Sequence, residues 1–369
     1  MSTILYRAFA VLVIFSSAKA DSWRQEELRF VTVVFRHGDR APDNNGKELY
    51  PNDPYLNYNF YPMGLGGLTN NGKMREYVLG EQLRHRYNNF LGSVYLPKDI
   101  VARSTDYART KMSLSLVLAS LYPPDGLQRW NFWLRWQPIP ITYVPDALDV
   151  LLIPEECPQY LEELNRVVKL PEVMERVKKF RPLMKNLTIL TGKKIENTNQ
   201  MYYLYHDLMA EKSMGLKLPK WTEPLFPFGP LWNATILEYD ITNYNDLLKR
   251  LNGGMLLRRI SDDIVAAIKN ETKPARKMNI FSGHETNIAA LLKTLGVYEP
   301  HVPEYSSAVI VELFQRGDQY YVQVLYYLGI PATIKIMTVP GCQQLCPIDD
   351  FFELLDKVIP TDDELYCPK

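Results

Sequence analysis

The sequence has little of several features that mark broad classes of protein. Its 42 basic and 42 acidic residues give a formal net charge of zero, which argues against nucleic acid or an anionic membrane as a bulk partner. After residue 20 no apolar run is long enough to cross a bilayer. Low-complexity tracts are missing too. With 46% apolar and 23% charged residues, the 369-residue chain should instead form a globular protein with a large core.

The first 20 residues have the pattern of a cleaved secretory signal. Arg7 supplies the positive charge, residues 8–15 are apolar, and residues 18–20 (AKA) have the small-x-small spacing of a cleavage site. The apolar run is too short for a transmembrane anchor. We therefore expect residues 1–20 to be removed and the protein to be secreted.

Two further features are typical of a secreted chain. An even number of cysteines favours two disulfides, but four cysteines allow three pairings: the residues are Cys157, Cys342, Cys346 and Cys367. A metal site is the weaker alternative, because no histidine accompanies these cysteines at ligand spacing. Three acceptor sequons predict glycosylated surface positions at Asn186, Asn233 and Asn270.

One heptad, RHGDRAP at 36–42, concentrates the reactive side chains. It follows residues 28–35 (LRFVTVVF), whose β-branched and aromatic composition predicts a buried strand. In open α/β sheets, ligands bind at the carboxyl ends of the strands. His37 can act there as a nucleophile, while Arg36 and Arg40 hold a phosphate dianion for attack. The alternative, a basic surface turn, requires five chemically demanding positions to coincide by chance.

The pattern of a short strand followed by a polar turn occurs twice more. Residues 100–102 form an apolar strand that ends at Arg103, and residues 278–281 form a strand that is followed by His284 and Glu285. If these strands are parallel neighbours of the first, their polar residues meet those of the heptad at one edge of the sheet. This convergence predicts a phosphate site.

The change in sequence pattern along the chain predicts two domains. Residues 43–67 predict a long loop near the site, and residues from about 146 to 245 are mostly helical in pattern. We interpret 146–245 as a smaller helical cap domain inserted in a larger α/β domain. That larger domain comprises 21–145 and 246–369 and has a mainly parallel central sheet flanked by helices.

The heptad resembles the R-H-G-x-R-x-P signature of the histidine acid phosphatases. Other segments fall in the family's order and extend the resemblance over nearly the whole chain after residue 25: YPMG at 61–64, RSTD at 103–106, WQPIP at 136–140 and SGHE at 282–285. The secreted venom acid phosphatases of stinging insects share the SGHE segment and HVPEYSS at 301–307. The resemblance implies a helical cap over the phosphate site and the disulfides Cys157–Cys367 and Cys342–Cys346.

For the matching positions the resemblance implies a two-step reaction without metal or cofactor. His37 accepts the phosphoryl group, water then hydrolyses the phosphohistidine, and the phosphate is bound by Arg36, Arg40, Arg103 and His284. Glu285 stands where the commonest pattern has aspartate. Both acids have similar reference pKa values, so we expect Glu285 to protonate the leaving alcohol, with Asp39 as the alternative. A carboxylic acid donates only while protonated, which predicts an acidic optimum.

The other polar residues near these motifs receive weaker predictions. Asp106 and Arg109 either brace the site or serve as a helix cap and a surface charge. His85 and His206 are expected to be ordinary helix residues, and His301 receives no role.

Other functions compete with an acid phosphatase that acts on small phosphate monoesters. A phytase-like or lysophospholipid phosphatase of narrower specificity ranks lower, because the cap has no dense cationic run. A venom or binding protein whose catalysis has lapsed is disfavoured by the intact basic residues of the three motifs. A phosphoglycerate-mutase-like transferase is disfavoured by the secretory signal and the sequons. The oligomeric state stays open, and a homodimer is allowed.

Overall fold

The computed structural model describes residues 26–43, 46–270 and 276–367. The expected secretory signal lies outside these residues. Among the described helices, none combines the length and apolar character that a membrane crossing needs.

A mixed sheet forms the centre of the described chain. Its strands are β1 Glu27–Arg36, β2 Ile100–Ser104, β3 Thr142–Tyr143, β4 Met278–Gly283, β5 Ala308–Arg316, β6 Gln319–Tyr327, β7 Ile334–Met337 and β8 Cys346–Pro347. Their order is β3-β2-β4-β1-β5-β6-β7, and β8 pairs with β6. The strands from β3 to β1 are parallel, whereas β5, β6, β7 and β8 pair antiparallel. The predicted α/β class is therefore confirmed.

Helices cover both faces of this sheet. They are α1 Asn70–Leu91, α2 Ala108–Leu121, α3 Pro158–Val167, α4 Pro171–Lys178, α5 Arg181–Thr191, α6 Thr198–Ser213, α7 Pro230–Ile241, α8 Asp246–Leu251, α9 Gly253–Ile268, α10 Glu285–Thr294, α11 Ile348–Leu355 and α12 Asp362–Leu365. Helices α8 and α9 follow each other directly and are separated only by Asn252. Gly253 follows directly, and a Cβ there would lie only 2.4 Å from the carbonyl oxygen of Ala290 on α10. The chain therefore approaches α10 more closely than a side chain would allow.

β1 shows why the sheet sits in the interior. Side chains alternate along a strand, so Phe30 and Val34 join the core beneath α9 and α10, whereas Val31, Val33 and Phe35 join the core beneath α1 and α2. Burial on both faces requires the continuous apolar run that the sequence shows. That run ends where the chain becomes polar, directly at the functional heptad.

Between β3 and β4 the regular elements within the described residues are helical. Helices α6 and α7 supply most of one apolar cluster, which also includes Tyr50 and Val302. The assignment of 146–245 as a separate inserted cap stays a prediction.

Both implied disulfides are present. One bond joins Cys157 to Cys367 across a sequence separation of 210 residues, and the other joins Cys342 to Cys346. The first bond ties the start of α3 to the C-terminal end of the described chain. The asparagines of the three sequons, Asn186, Asn233 and Asn270, are all exposed, so their glycosylation remains a prediction that the structure allows.

Candidate active site

Three adjacent parallel strands end at the same edge of the sheet. Arg36 at the end of β1 is in register with Gly283 of β4, and Ser104 at the end of β2 is in register with Ser282. The residues that follow these strands are therefore neighbours. The rings of His37 and His284, which follow β1 and β4, have centroids 5.5 Å apart.

His37 is buried with its ring held in one tautomer. Its Nδ1 lies 2.8 Å from the carbonyl oxygen of Gly38. A carbonyl oxygen can only accept, so Nδ1 carries the proton and Nε2 keeps its lone pair. Burial, and next the charges of Arg109 and Arg36, lower the pKa of His37 well below its ordinary value. The ring is therefore neutral and can act as a nucleophile through Nε2.

Gly38 permits the close packing that holds this ring. A Cβ at Gly38 would lie 2.5 Å from the carbonyl oxygen of Gly72 in the first turn of α1. Its N–H donates to the hydroxyl of Ser113 on α2 over 3.2 Å. The heptad is thus fixed between α1 and α2, and no larger residue fits at this position.

Arg36 is fully buried and only partly paired. Its Nη1 donates to the carbonyl oxygen of Pro303 over 2.6 Å, and its Nε lies 3.3 Å from Oε2 of Glu285. The guanidinium also stacks over the ring of Tyr305, 3.9 Å from the centroid. Within the described residues, Nη2 has no hydrogen-bond partner. That buried N–H is available to an anion.

Arg40 is held in the same way by an acid from the loop after the heptad. Its two terminal nitrogens donate to the two carboxylate oxygens of Glu48 over 2.8 and 2.5 Å. Although burial opposes its charge, Glu48 raises the pKa of Arg40 well above its ordinary value, so the guanidinium stays protonated. Its Nε has no partner among the residues described.

Arg109, in the first turn of α2, is the third buried guanidinium. Its Nη1 lies 3.1 Å from Oδ2 of Asp43, and it stacks over the ring of Tyr107 at 4.5 Å. Its Nε lacks a hydrogen-bond partner in the described part of the chain. After burial, its charge is the largest influence lowering the pKa of both His37 and His284. Arg109 therefore belongs to this site, where the sequence suggested at most a bracing role.

The structure does not bring Arg103 to the histidines. Arg103 lies within β2, in register with Phe281, and side-chain alternation turns it toward the face covered by α9. There it forms an ion pair with Asp149, and the charge of Arg259 on α9 acts on it. The expected contact of Arg103 with phosphate therefore stays a prediction without geometric support.

His284 is held by a chain of hydroxyl groups. Its Nε2 lies 3.1 Å from Oγ1 of Thr105. The Thr105 hydroxyl donates to Thr110 over 2.9 Å, and Thr110 donates to backbone carbonyls, so Thr105 accepts from Nε2–H. Burial and the charge of Arg109 lower the pKa of His284 to about 3, which makes it a neutral neighbour of His37.

Glu285 begins α10 and lies beside these groups. It forms an ion pair with Arg36, accepts a hydrogen bond from the hydroxyl of Tyr202, and lies 3.7 Å from Nε2 of His206. Burial favours its neutral form, but the charge of Arg36 and the hydrogen bond from Tyr202 hold the pKa of Glu285 well below its ordinary range. The carboxyl is therefore ionised when no anion is bound.

Sequence reasoning missed the contribution of α6. Tyr202 touches Glu285, and His206 is buried with Nε2 3.3 Å from the hydroxyl of Tyr239. Burial lowers the pKa of His206 to about 3. The sequence signal for this contribution is a histidine that lies among tyrosines on an apolar helix. Periodicity alone indicates that the face carrying His206 is buried, not that it meets the active site.

Two of the remaining predicted polar residues are paired with basic side chains of the helices that flank the site. Asp39 is buried and pairs with Arg75 on α1, with Nε 3.1 Å from Oδ2. Asp106 pairs with Lys111 on α2. His85 is exposed on α1, as expected.

Comparison with known proteins places the chain in a family. The family model described as "Histidine phosphatase superfamily (branch 2)" matches residues 27–327, so the chain belongs to this superfamily.

Among curated relatives, the chain is 48% identical to venom acid phosphatase Acph-1 of Apis mellifera over 94% of this chain and 89% of that protein. It is 34% identical to the lysosomal acid phosphatase of Homo sapiens over 93% of this chain and 81% of that protein. Among solved structures, the Hafnia alvei phytase in complex with myo-inositol hexakis sulphate superposes with a TM-score of 0.68 at 16% identity, covering 93% and 99% of the two chains. That likeness shows a shared fold.

Proposed function

We propose that the protein is an acid phosphatase that hydrolyses phosphate monoesters through a phosphohistidine on His37. The observation that carries this proposal is a neutral imidazole whose Nε2 is free, beside three buried arginines that each retain a nitrogen without a partner among the described residues. Membership of the histidine phosphatase superfamily and the acid phosphatases among its relatives support it.

The reaction has two displacements at phosphorus. In the first, Nε2 of His37 forms the P–N bond while the bond from phosphorus to the ester oxygen breaks, and Glu285 protonates the leaving alcohol. In the second, the Glu285 carboxylate takes a proton from water, which attacks phosphorus and breaks the P–N bond. Inorganic phosphate leaves, and His37 and Glu285 regain their starting states.

The arginines stabilise the charge on the transferring group. Arg36, Arg40 and Arg109 are each held on one side by an acid, respectively Glu285, Glu48 and Asp43. Because they are already positioned, their free N–H groups need little rearrangement to contact the nonbridging oxygens. We infer that Arg109 supplies the third guanidinium.

An acidic optimum follows from the charge balance. In the anion-free site the three guanidinium groups face three carboxyl groups, so a phosphate dianion adds uncompensated negative charge. The monoanion of a phosphate ester predominates below its second pKa of about 6. It binds with one negative charge less and brings a proton into the site. Transferred to Glu285, that proton becomes the one needed by the leaving alcohol.

The substrate class and location complete the proposal. The substrates are small-molecule phosphate monoesters, and catalysis needs no cofactor. We propose secretion, supported by the pattern of residues 1–20 and by two disulfides, which persist in oxidising compartments.

Replacing His37 tests this function. The secreted full-length protein and the variants His37→Ala and His85→Ala are assayed at acidic pH with p-nitrophenyl phosphate. His85→Ala is the matched control, because that ring is exposed on α1. We expect the control to keep wild-type turnover and His37→Ala to lose essentially all of it. Equal turnover by His37→Ala would contradict the proposal.

A further inference from the structure

A second group of buried acids lies where α6 meets the loop that follows the heptad. Asp207 and Glu211 are one helical turn apart on α6, so they share a face, and Asp53 from the loop after the heptad meets them there. One carboxylate oxygen from each residue lies within 4.8 Å of the other two. Asp207 and Glu211 are fully buried, and Asp53 is 7% exposed.

Of the six carboxylate oxygens of these acids, one accepts a hydrogen bond from a donor in the described chain. Oδ1 of Asp53 accepts from the backbone N–H of Tyr55 over 2.7 Å. The other five oxygens have no hydrogen-bond partner among the described residues: Oδ2 of Asp53, both oxygens of Asp207 and both of Glu211. Asp207 acts electrostatically on Lys193. The ammonium of Lys193, however, donates to the carbonyl oxygens of Gly46, Lys47 and Leu49 instead of to the acids.

A fourth buried side chain, Tyr50, is under the electrostatic influence of the same acids. Tyr50 is 1% exposed, and its hydroxyl has no partner within the described residues. Burial, and then the charges of Asp53, Glu211 and Asp207, raise the pKa of this phenol, so these three acids are the charged groups that act on it most strongly. Five carboxylate oxygens and one phenol oxygen of the four buried side chains therefore have no hydrogen-bond partner among the described residues.

We propose that Asp53, Asp207 and Glu211, together with the Tyr50 hydroxyl, bind one calcium ion. Three buried carboxylates cannot all stay ionised without a compensating cation. Calcium takes six to eight oxygen ligands at about 2.3–2.6 Å, so two of its ligands are separated by at most about 5 Å. One oxygen of each acid lies within 4.8 Å of the other two, which is compatible with this limit.

The chemistry of the donors selects this ion. Zinc favours nitrogen and sulfur ligands, of which this cluster has none in the described chain. Magnesium gives up its waters reluctantly and is seldom bound by an all-protein cage. A buried set of carboxylates and a hydroxyl therefore fits calcium best.

The ion has a structural role distinct from catalysis. The loop that carries Tyr50 and Asp53 also carries Glu48, the partner of Arg40, and α6 also carries Tyr202, the partner of Glu285. Calcium would join these two elements.

Calcium binding is tested on the full-length secreted protein after EDTA treatment and removal of the chelator. Calcium chloride alone is titrated calorimetrically at pH 7.5, and thermal unfolding is followed with calcium and with EDTA. The variants are Asp207→Asn and Glu211→Gln, and Glu162→Gln, an exposed acid on α3, is the matched control.

We expect the wild type and Glu162→Gln to bind one equivalent of calcium and to melt several degrees higher in calcium than in EDTA. The two cluster variants should lose both effects. The wild-type titration decides the matter even if a variant fails to fold. Absence of stoichiometric calcium binding by the wild type, with equal melting temperatures in calcium and EDTA, would overturn the proposal.

Discussion

Nε of Arg36 lies 3.3 Å from Oε2 of Glu285, so a phosphate-binding guanidinium and the proposed proton donor form one buried ion pair. A phosphate group that engages Arg36 therefore acts directly on the carboxyl. The anion competes for the guanidinium and repels the carboxylate, and both effects favour the protonated acid. Binding and protonation of the donor are coupled through this contact.

Glu285→Gln should impair turnover most for substrates with poor leaving groups. The amide keeps the size of the side chain but donates no proton to the alcohol, and general acid catalysis contributes roughly 10²–10⁴ in rate. We expect a loss in that range for alkyl phosphates and a smaller loss for p-nitrophenyl phosphate. Steady-state kinetics with both substrates measures this difference.

Asp39→Asn is the comparison for that variant. Asp39 is the alternative donor from the same heptad, but its carboxylate pairs with Arg75 on α1. We expect Asp39→Asn to lower turnover by the same factor for alkyl phosphates and for p-nitrophenyl phosphate. A leaving-group dependence that follows Asp39 rather than Glu285 would reverse the assignment.

Arg109→Gln and Arg103→Gln distinguish two candidates for the third phosphate arginine. Arg109 acts on both histidines, whereas Arg103 pairs with Asp149 on the α9 face of the sheet. By analogy with the removal of one oxyanion donor, Arg109→Gln should cost about 10²–10³ in kcat/KM. Arg103→Gln should lower kcat/KM less. The ranking fails if Arg103→Gln proves the more damaging, with both variants shown to be folded by circular dichroism.

Tyr202→Phe should move the alkaline limb of the kcat profile to higher pH. The Tyr202 hydroxyl donates to Glu285 and is one of the groups that lower its pKa. Without that hydrogen bond the pKa of the carboxyl rises, so Glu285 holds its proton to higher pH. Tyr203→Phe is the control, because its hydroxyl contacts Lys47 instead. An unmoved limb in Tyr202→Phe would show that Glu285 does not set it.

The acidic limb of kcat/KM should lie well below pH 6.5. His37 must be neutral to attack, and burial with the charges of Arg109 and Arg36 lowers its pKa well below that value. Activity is therefore kept as the pH falls through 6.5 and is lost only when the ring protonates. The dependence of kcat/KM on pH, measured in several buffers, checks this. An acidic limb near pH 6.5 would mean that His37 is solvated.

The strands that carry the site could be predicted from sequence because their signals are local. Residues 28–35 and 278–281 are apolar runs that end abruptly in polar residues, and both are strands whose ends lie side by side. The role of Arg109 could not be read in this way. Arg103 lies in β2 and Arg109 in the first turn of α2, on either side of one short turn, so only their secondary structure separates them.

The contribution of α6 depends on tertiary packing. Periodicity indicates that one face of this helix is buried, but it does not say that Tyr202 meets Glu285 or that Asp207 and Glu211 meet Asp53. Acids four residues apart on an apolar helix were a signal for the second cluster. No metal site was predicted from the sequence, because the familiar metal-binding spacings involve cysteines and histidines rather than isolated acids of this kind.

Chemical trapping of the phosphorylated enzyme tests the central claim most directly. The protein is mixed with a phosphate ester that is labelled in the phosphoryl group. While turnover is in progress the reaction is stopped by denaturing the protein in alkali, and the protein is then digested for peptide mapping. The account predicts label on His37 in the peptide that contains the heptad, and no label in His37→Ala. Label on a serine, or no labelled protein during active turnover, would contradict it.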